Sequence, residues 1–147
     1  MPGRYGAAVR IVLDTNVVVS ALIWGGTPYK LVQAAVDRDL VLCTSPALLD
    51  ELRGVLARPH LAGRLVRQRS SVAQAVALYG ALAICMSPTD VPPVVAEDPD
   101  DDRVIAAAVV ARAELLVSGD RHLLALGTHA GVRVATPAEA VRLARIA

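Results

Sequence analysis

Five short runs rich in Val, Leu and Ile punctuate the chain, at 9–13 (VRIVL), 40–43 (LVLC), 82–86 (LAICM), 115–118 (LLVS) and 132–135 (VRVA). Each has the length of a strand and turn-type residues at its boundaries. The segments between them carry apolar residues at helical spacing. They predict helices over 28–38, 46–57, 99–112, 121–126 and 137–146, with a helical stretch between about 61 and 80. Four segments open with a capping side chain followed by proline at the first helical position: Thr27-Pro28, Ser45-Pro46, Asp98-Pro99 and Thr136-Pro137. Thr136 and Glu139 have the spacing of a capping box. Strands alternating with helices predict an α/β fold, a three-layer α/β/α sandwich around a mostly parallel five-stranded sheet. In such sheets functional groups collect at the carboxyl ends of the strands, near the point where strand order reverses.

Composition agrees with that architecture. The 147 residues are 54% apolar but only 3% aromatic, with no Phe, so the core is built from Val, Leu, Ile and Ala. That length predicts one domain over 1–147, large enough to fold without staples, with 1–8 as a flexible N-terminus. Cys43 and Cys85 sit in apolar stretches without CxxC spacing and are read as buried thiols of a reducing cytosol. The first ten residues lack the apolar run of a signal peptide, and no window is long and apolar enough to span a bilayer. A soluble cytoplasmic protein with no membrane association is expected, in which 87–93 (SPTDVPP) forms a stiff loop. The net charge of +1 gives no overall steering toward nucleic acid, although 14 of the 15 basic residues are Arg.

The carboxylates carry the chemical signal. Asp14 directly follows the first strand run and is followed by Thr15 and Asn16, which places a charge and two polar groups at a strand's carboxyl end. Asp120 repeats this after the fourth run, with Ser118 beside it. Either aspartate alone is accounted for by helix capping, but two in one sheet favour a site. In SPALLDELRGVL, Glu51 falls about 40° from Val55 at the edge of the apolar stripe, whereas Asp50 points to solvent. A carboxylate against the core needs a partner, either the candidate site or an Arg such as Arg10 or Arg53. Residues 97–102 (EDPDDD) hold five carboxylates in six positions. Asp98 as a cap and one or two acids in the first turn satisfy the helix dipole, but three acids in succession exceed what it favours.

Such carboxylates, with no Cys or His at ligand spacing, describe a site for a hard cation, Mg²⁺ or Mn²⁺. One or two such ions activate water, hold a phosphodiester and stabilise the leaving oxygen of an in-line displacement. His60, His122 and His129 lie at helix ends or in loops without metal-ligand spacing and are read as surface residues. Trp24, the sole tryptophan, is read as a core residue or a lip of the crevice; nothing in the sequence argues for base stacking there.

Taken in order, LDTN at 13–16, Glu51 in LLDEL, EDPDDDRVIAAA at 97–108 and VSGDRHLL at 117–124 resemble a PIN domain, the metal-dependent ribonuclease domain of VapC-type toxins. The likeness runs from about Arg10 to Ala147 and is greatest with the family's longer branch. It implies that Asp14, Glu51, one acid of the DDD run and Asp120 form the catalytic set, with Mg²⁺ or Mn²⁺ held by Asp14, Asp101, Asp102 and Asp120. It implies supporting roles for Thr15, Asn16 and Ser118. Spelling as DRVIAA favours Asp102, whereas counting back from Ala108 favours Asp101; the reading takes Asp101 as the catalytic acid and Asp102 as an outer ligand or proton shuttle. The resemblance further implies cleavage of single-stranded RNA, a homodimer, and a cognate antitoxin that holds a toxin of this type inactive.

Two other functions fit less well. A haloacid-dehalogenase-type phosphatase wants a second acid two positions after its nucleophile, where Asn16 stands, and a later Lys, whereas the only Lys is Lys30. A non-catalytic module that binds a cation or RNA on the same fold is the alternative from another class. An inactive relative of this kind is expected to have lost one of the four acids, and none is missing.

Overall fold

The computed structural model describes residues 9–87 and 99–145, and of residues 99–101 the backbone alone. Among the described residues six strands form one sheet: β1 (Val9–Leu13), β2 (Leu40–Thr44), β3 (Ile84–Cys85), β4 (Leu115–Val117), β5 (Thr128–His129) and β6 (Val132–Ala135). Their order is β3-β2-β1-β4-β6-β5, and every pairing is parallel except that of β5 with β6. The same residues form eight helices around the sheet: α1 (Thr15–Ile23), α2 (Gly26–Val36), α3 (Pro46–Leu56), α4 (Pro59–Arg67), α5 (Val72–Leu82), α6 (Pro99–Val110), α7 (Arg121–Leu126) and α8 (Pro137–Leu143).

Alternation along the strands divides the core in two. Ile11, Leu13, Leu42, Leu115 and Val117 face the layer of α1, α2, α4, α5 and α8, while Val12, Cys43, Leu116 and Val134 face α6 and α7. Both faces are covered, so the runs read as continuously apolar rather than alternating. Among the described residues no helix is long and apolar enough to cross a membrane.

The predicted layers and parallel sheet are present, with four corrections. The sheet has six strands rather than five. The added β5 is two residues long, too short to leave a periodic signal, and joins β6 through Ala130 and Gly131, both at positive φ as a tight hairpin requires. The predicted order passes from β1 to a helix at 28, whereas the structure inserts α1. Val17, Val18 and Val19 are β-branched and favour strands, but their burial in the core outweighs that propensity. Thr27 does not cap α2, which begins at Gly26 after Gly25 at φ 78°, a conformation that lets the chain reverse from α1. The stretch 61–80 is two helices, α4 and α5, parted around Arg69 at φ 60° and restarted by Ser71, whose hydroxyl accepts from Gln74 N at 3.1 Å.

Other caps form as their spelling predicts. Ser45 accepts from Leu48 N at 3.2 Å, and Thr136 with Glu139 forms the full capping box. Cys43 is buried but Cys85 is exposed, because β3 is an edge strand. His60 and His122 are exposed as expected, while His129 is half-buried in β5. Trp24 is neither core nor crevice lip; it is 59% exposed at the far end of α1. The flexible N-terminus expected at 1–8, most of the loop expected at 87–93 and the Asp98 cap lie outside the described residues.

Candidate active site

The chain turns back on itself between β1 and β4. From β1 the order runs outward to β2 and β3 on one side and to β4 and β6 on the other, so the β1/β4 boundary is the topological switch point. Both strands end here in register, Leu13 opposite Val117, and Asp14 N continues the ladder by donating to Val117 O at 2.9 Å. The next residues on the two strands, Asp14 and Ser118, therefore face each other across the switch point.

Ser118 is fully buried and links two acids. Its hydroxyl donates to Asp14 Oδ2 at 2.7 Å and accepts from the backbone N–H of Asp120 at 2.9 Å. The other oxygen of Asp14 accepts from Thr15 N at 2.9 Å, so Asp14 also caps α1. Asp120 caps α7 by accepting from His122 N at 2.8 Å, and the His122 ring nitrogen Nδ1 lies 4.0 Å from the same carboxylate oxygen. Capping is thus compatible with a place in a site, because a strand-end acid that caps the next helix is already aimed over the sheet's carboxyl edge.

Glu51 reaches the site from α3. It is half-buried and accepts a hydrogen bond from the hydroxyl of Thr15, itself 5% exposed. The two arginines considered as its structural partners make bonds elsewhere. Arg53 pairs with the exposed Asp50 at 3.1 Å, and Arg10 donates to Ala111 O at 3.0 Å. Thr15 and Ser118 thus tie Glu51 to the start of α1 and Asp14 to the loop of Asp120. Asn16, expected beside them, is exposed.

The DDD run approaches from the opposite layer. The carboxyl end of α6 lies at the amino-terminal edge of the sheet, where Glu114 N donates to Arg10 O at 2.8 Å and Arg10 bonds Ala111. Twelve residues of helix span roughly 18 Å, so α6 runs back along the sheet and brings its first turn to the carboxyl end. Val104, Ile105, Ala107 and Ala108 are buried and anchor it there. Asp102, on that first turn, is half-buried; the side chains of Asp100 and Asp101 lie outside the described residues, so the choice between Asp101 and Asp102 is not made by the geometry.

Asp14, Glu51, Asp102 and Asp120 are thus carried to one edge by four different elements. Their oxygens suit a hard cation, and two of them are oriented by neutral hydroxyls. Among the described residues, however, no three acid, His or Cys side chains stand close enough to hold one ion.

A family model described as PIN domain matches residues 10–122, from β1 through the start of α7. The chain belongs to the PIN-domain family. A PIN domain is a three-layer α/β/α fold, and its members are generally nucleases that use divalent metal ions and act on nucleic acid. An uncharacterized protein of Methanocaldococcus jannaschii is 28% identical over 120 residues, covering 80% of this chain and 75% of that protein. It is similar over most of the PIN domain and assigns no activity. The site residues named from the sequence fall within the matched span, whereas β6 and α8 lie beyond it.

Proposed function

We propose that this PIN domain is a Mg²⁺- or Mn²⁺-dependent endoribonuclease that cleaves single-stranded RNA, with Asp14, Glu51, Asp101 or Asp102, and Asp120 as its acidic set. The observation that carries the reading is the hydroxyl relay at the switch point: Ser118 joins Asp14 to the Asp120 loop, and Thr15 joins Glu51 to the helix that Asp14 caps. Buried hydroxyls that orient carboxylates toward the open edge of a sheet serve a polar ligand there better than they serve the fold alone.

In this reading Asp14 and Asp120, with Asp101 or Asp102, hold the divalent ion, and Glu51 orders the attacking water. The ion, when bound, supplies positive charge against the phosphodiester and lowers the cost of deprotonating water. The protein fixes each carboxylate from a rigid element end, so little reorganisation accompanies the reaction. The resemblance to VapC-type proteins extends the proposal to a toxin of a toxin-antitoxin pair, acting as a homodimer in the cytoplasm and restrained by a cognate antitoxin.

The test is cleavage of single-stranded RNA with and without Mn²⁺, comparing the wild type with Asp14→Asn, which retains an oxygen acceptor for capping α1. Metal-dependent cleavage that falls by at least about a hundredfold in the variant, in keeping with loss of a group that acts on the transition state, is the expected result. RNA left intact by the folded wild type with either metal defeats the proposal and favours a non-catalytic RNA- or cation-binding module.

A further inference from the structure

The far end of α1 carries a second polar feature. Trp24, the carboxyl cap of α1, is 59% exposed, and the guanidinium carbon of Arg64 lies 3.9 Å from its ring centroid. Arg64 projects from α4, which is held to the same spot by Gln68, whose side chain donates to Ile23 O at 3.0 Å. The Nε of Arg64 is buried and has no hydrogen-bond partner among the described residues. An indole with a planar cation fixed on it, and most of its surface in water, is built as a stacking platform.

Charge around the platform is one-sided. From Gly54 to Ser87 the chain has four arginines and no acid, in a protein whose net charge is only +1. Arg58, Arg67 and Arg69, on and beside α4, are all exposed. The acids are concentrated elsewhere, above all in the run 97–102. A neutral overall balance thus conceals an arginine-rich, acid-free segment complementary to a polyanion. α4 packs on α1 and α3, the helices that carry Thr15 and Glu51. Nine residues of α1 place Trp24 roughly 14 Å from Thr15 along the helix, a separation a few nucleotides cover.

We infer that Trp24 and Arg64 form a base-stacking subsite for single-stranded RNA, with Arg58, Arg67 and Arg69 contacting its phosphates outside the cleavage centre. The inference rests on RNA being the ligand of the candidate site. Stacking makes the subsite tolerant of base identity, and the arginines make it sensitive to salt.

Trp24 is the sole tryptophan, so its fluorescence reports on this face alone. Titration of the full chain in EDTA with a short single-stranded RNA of mixed sequence is expected to quench it saturably. Trp24→Ala, followed by the anisotropy of end-labelled RNA, is expected to weaken binding roughly fivefold to a hundredfold, with affinity largely restored in Trp24→Phe. Arg67→Gln is expected to flatten the slope of log K against log salt by about 0.7. Inorganic polyphosphate, which has charge but no bases, is expected to leave the fluorescence nearly unchanged. RNA that fails to quench, or that binds Trp24→Ala as well as the wild type, overturns the inference. Polyglutamate that quenches Trp24 and displaces RNA overturns it in favour of an acidic protein partner. The nuclease reading is scored separately by Mn²⁺-dependent cleavage, so either can fail while the other stands.

Discussion

Ser118 occupies a position where one hydroxyl satisfies two strand ends, and it has no exposure through which water could replace it. Ser118→Ala leaves a charged acceptor and a backbone donor short of a partner together. Urea unfolding should register a loss of about 2–3 kcal/mol, and a double-mutant cycle with Asp14→Asn should give a coupling energy on the order of 1 kcal/mol. Strict additivity would mean that the Ser118–Asp14 bond is not formed in solution. Tyr79 presents the opposite case. It is 3% exposed and its hydroxyl has no hydrogen-bond partner among the described residues, so Tyr79→Phe should raise stability by about 1 kcal/mol. Burial, with a smaller contribution from Cys43, pushes the Tyr79 hydroxyl above its ordinary value of 10.0. The neutral form is therefore favoured by folding: its contribution is complete below pH 10 and is lost as pH rises toward the folded value. The wild type should lose stability above pH 10 more steeply than Tyr79→Phe, and parallel pH profiles would refute this. The resemblance to the PIN family implied a supporting role for Ser118. That it also binds Asp14, 104 positions away, depends on strand order, which no local pattern contains. The same limit hid the stacking of Arg64 on Trp24.

Helix ends were the most legible elements, and their exceptions have identifiable causes. Ser45-Pro46 and Thr136-Pro137 cap as their spelling predicts. Thr27-Pro28 does not, because two glycines at positive φ reverse the chain just before it and start α2 two residues early. α1 was illegible from propensity, since its valines favour strands and only burial in the core makes them helical. The capping box of α8 yields a prediction of its own. Hydrogen bonds from Thr136 backbone and side chain, aided by Arg133 and Arg142, hold the Glu139 carboxyl below its ordinary value of 4.5. A depressed carboxyl stabilises the fold above its unfolded value and ceases to do so as pH falls through the folded one. Glu139→Gln can still accept the Thr136 N–H bond but lacks the charge, so it should be slightly less stable than the wild type at neutral pH. It should then lose less stability than the wild type below pH 4.5. Acid unfolding followed by circular dichroism decides this, and identical acid profiles would mean that the box forms without the charge.

At the scale of the molecule, the alternation of strands and helices made the layered α/β fold readable, and the strand-end rule made Asp14 and Asp120 readable as a pair. Their dual use changes the effect of removing them. Simple relief of repulsion would let alanine at either position stabilise the metal-free protein, yet both side chains cap helices. Asp14→Ala and Asp120→Ala should instead each cost about 1 kcal/mol in EDTA, and only Glu51, which caps nothing, escapes that penalty. Metal binding is therefore better tested with an asparagine, which separates ligation from capping. At a free Mn²⁺ concentration one hundred times its dissociation constant, linkage adds about 2.7 kcal/mol to a protein that binds the ion only when folded. For a chain of this length that is a rise in Tm of roughly 5–10 °C. Asp14→Asn should keep the EDTA melting temperature within a few degrees and lose most of the rise, whereas Asp50→Asn, on the solvent side of α3 and paired with Arg53, should retain it in full. An equal rise in both variants would place the ion elsewhere on the acidic surface, and the hydroxyl-linked carboxylates at the switch point would then serve the fold alone.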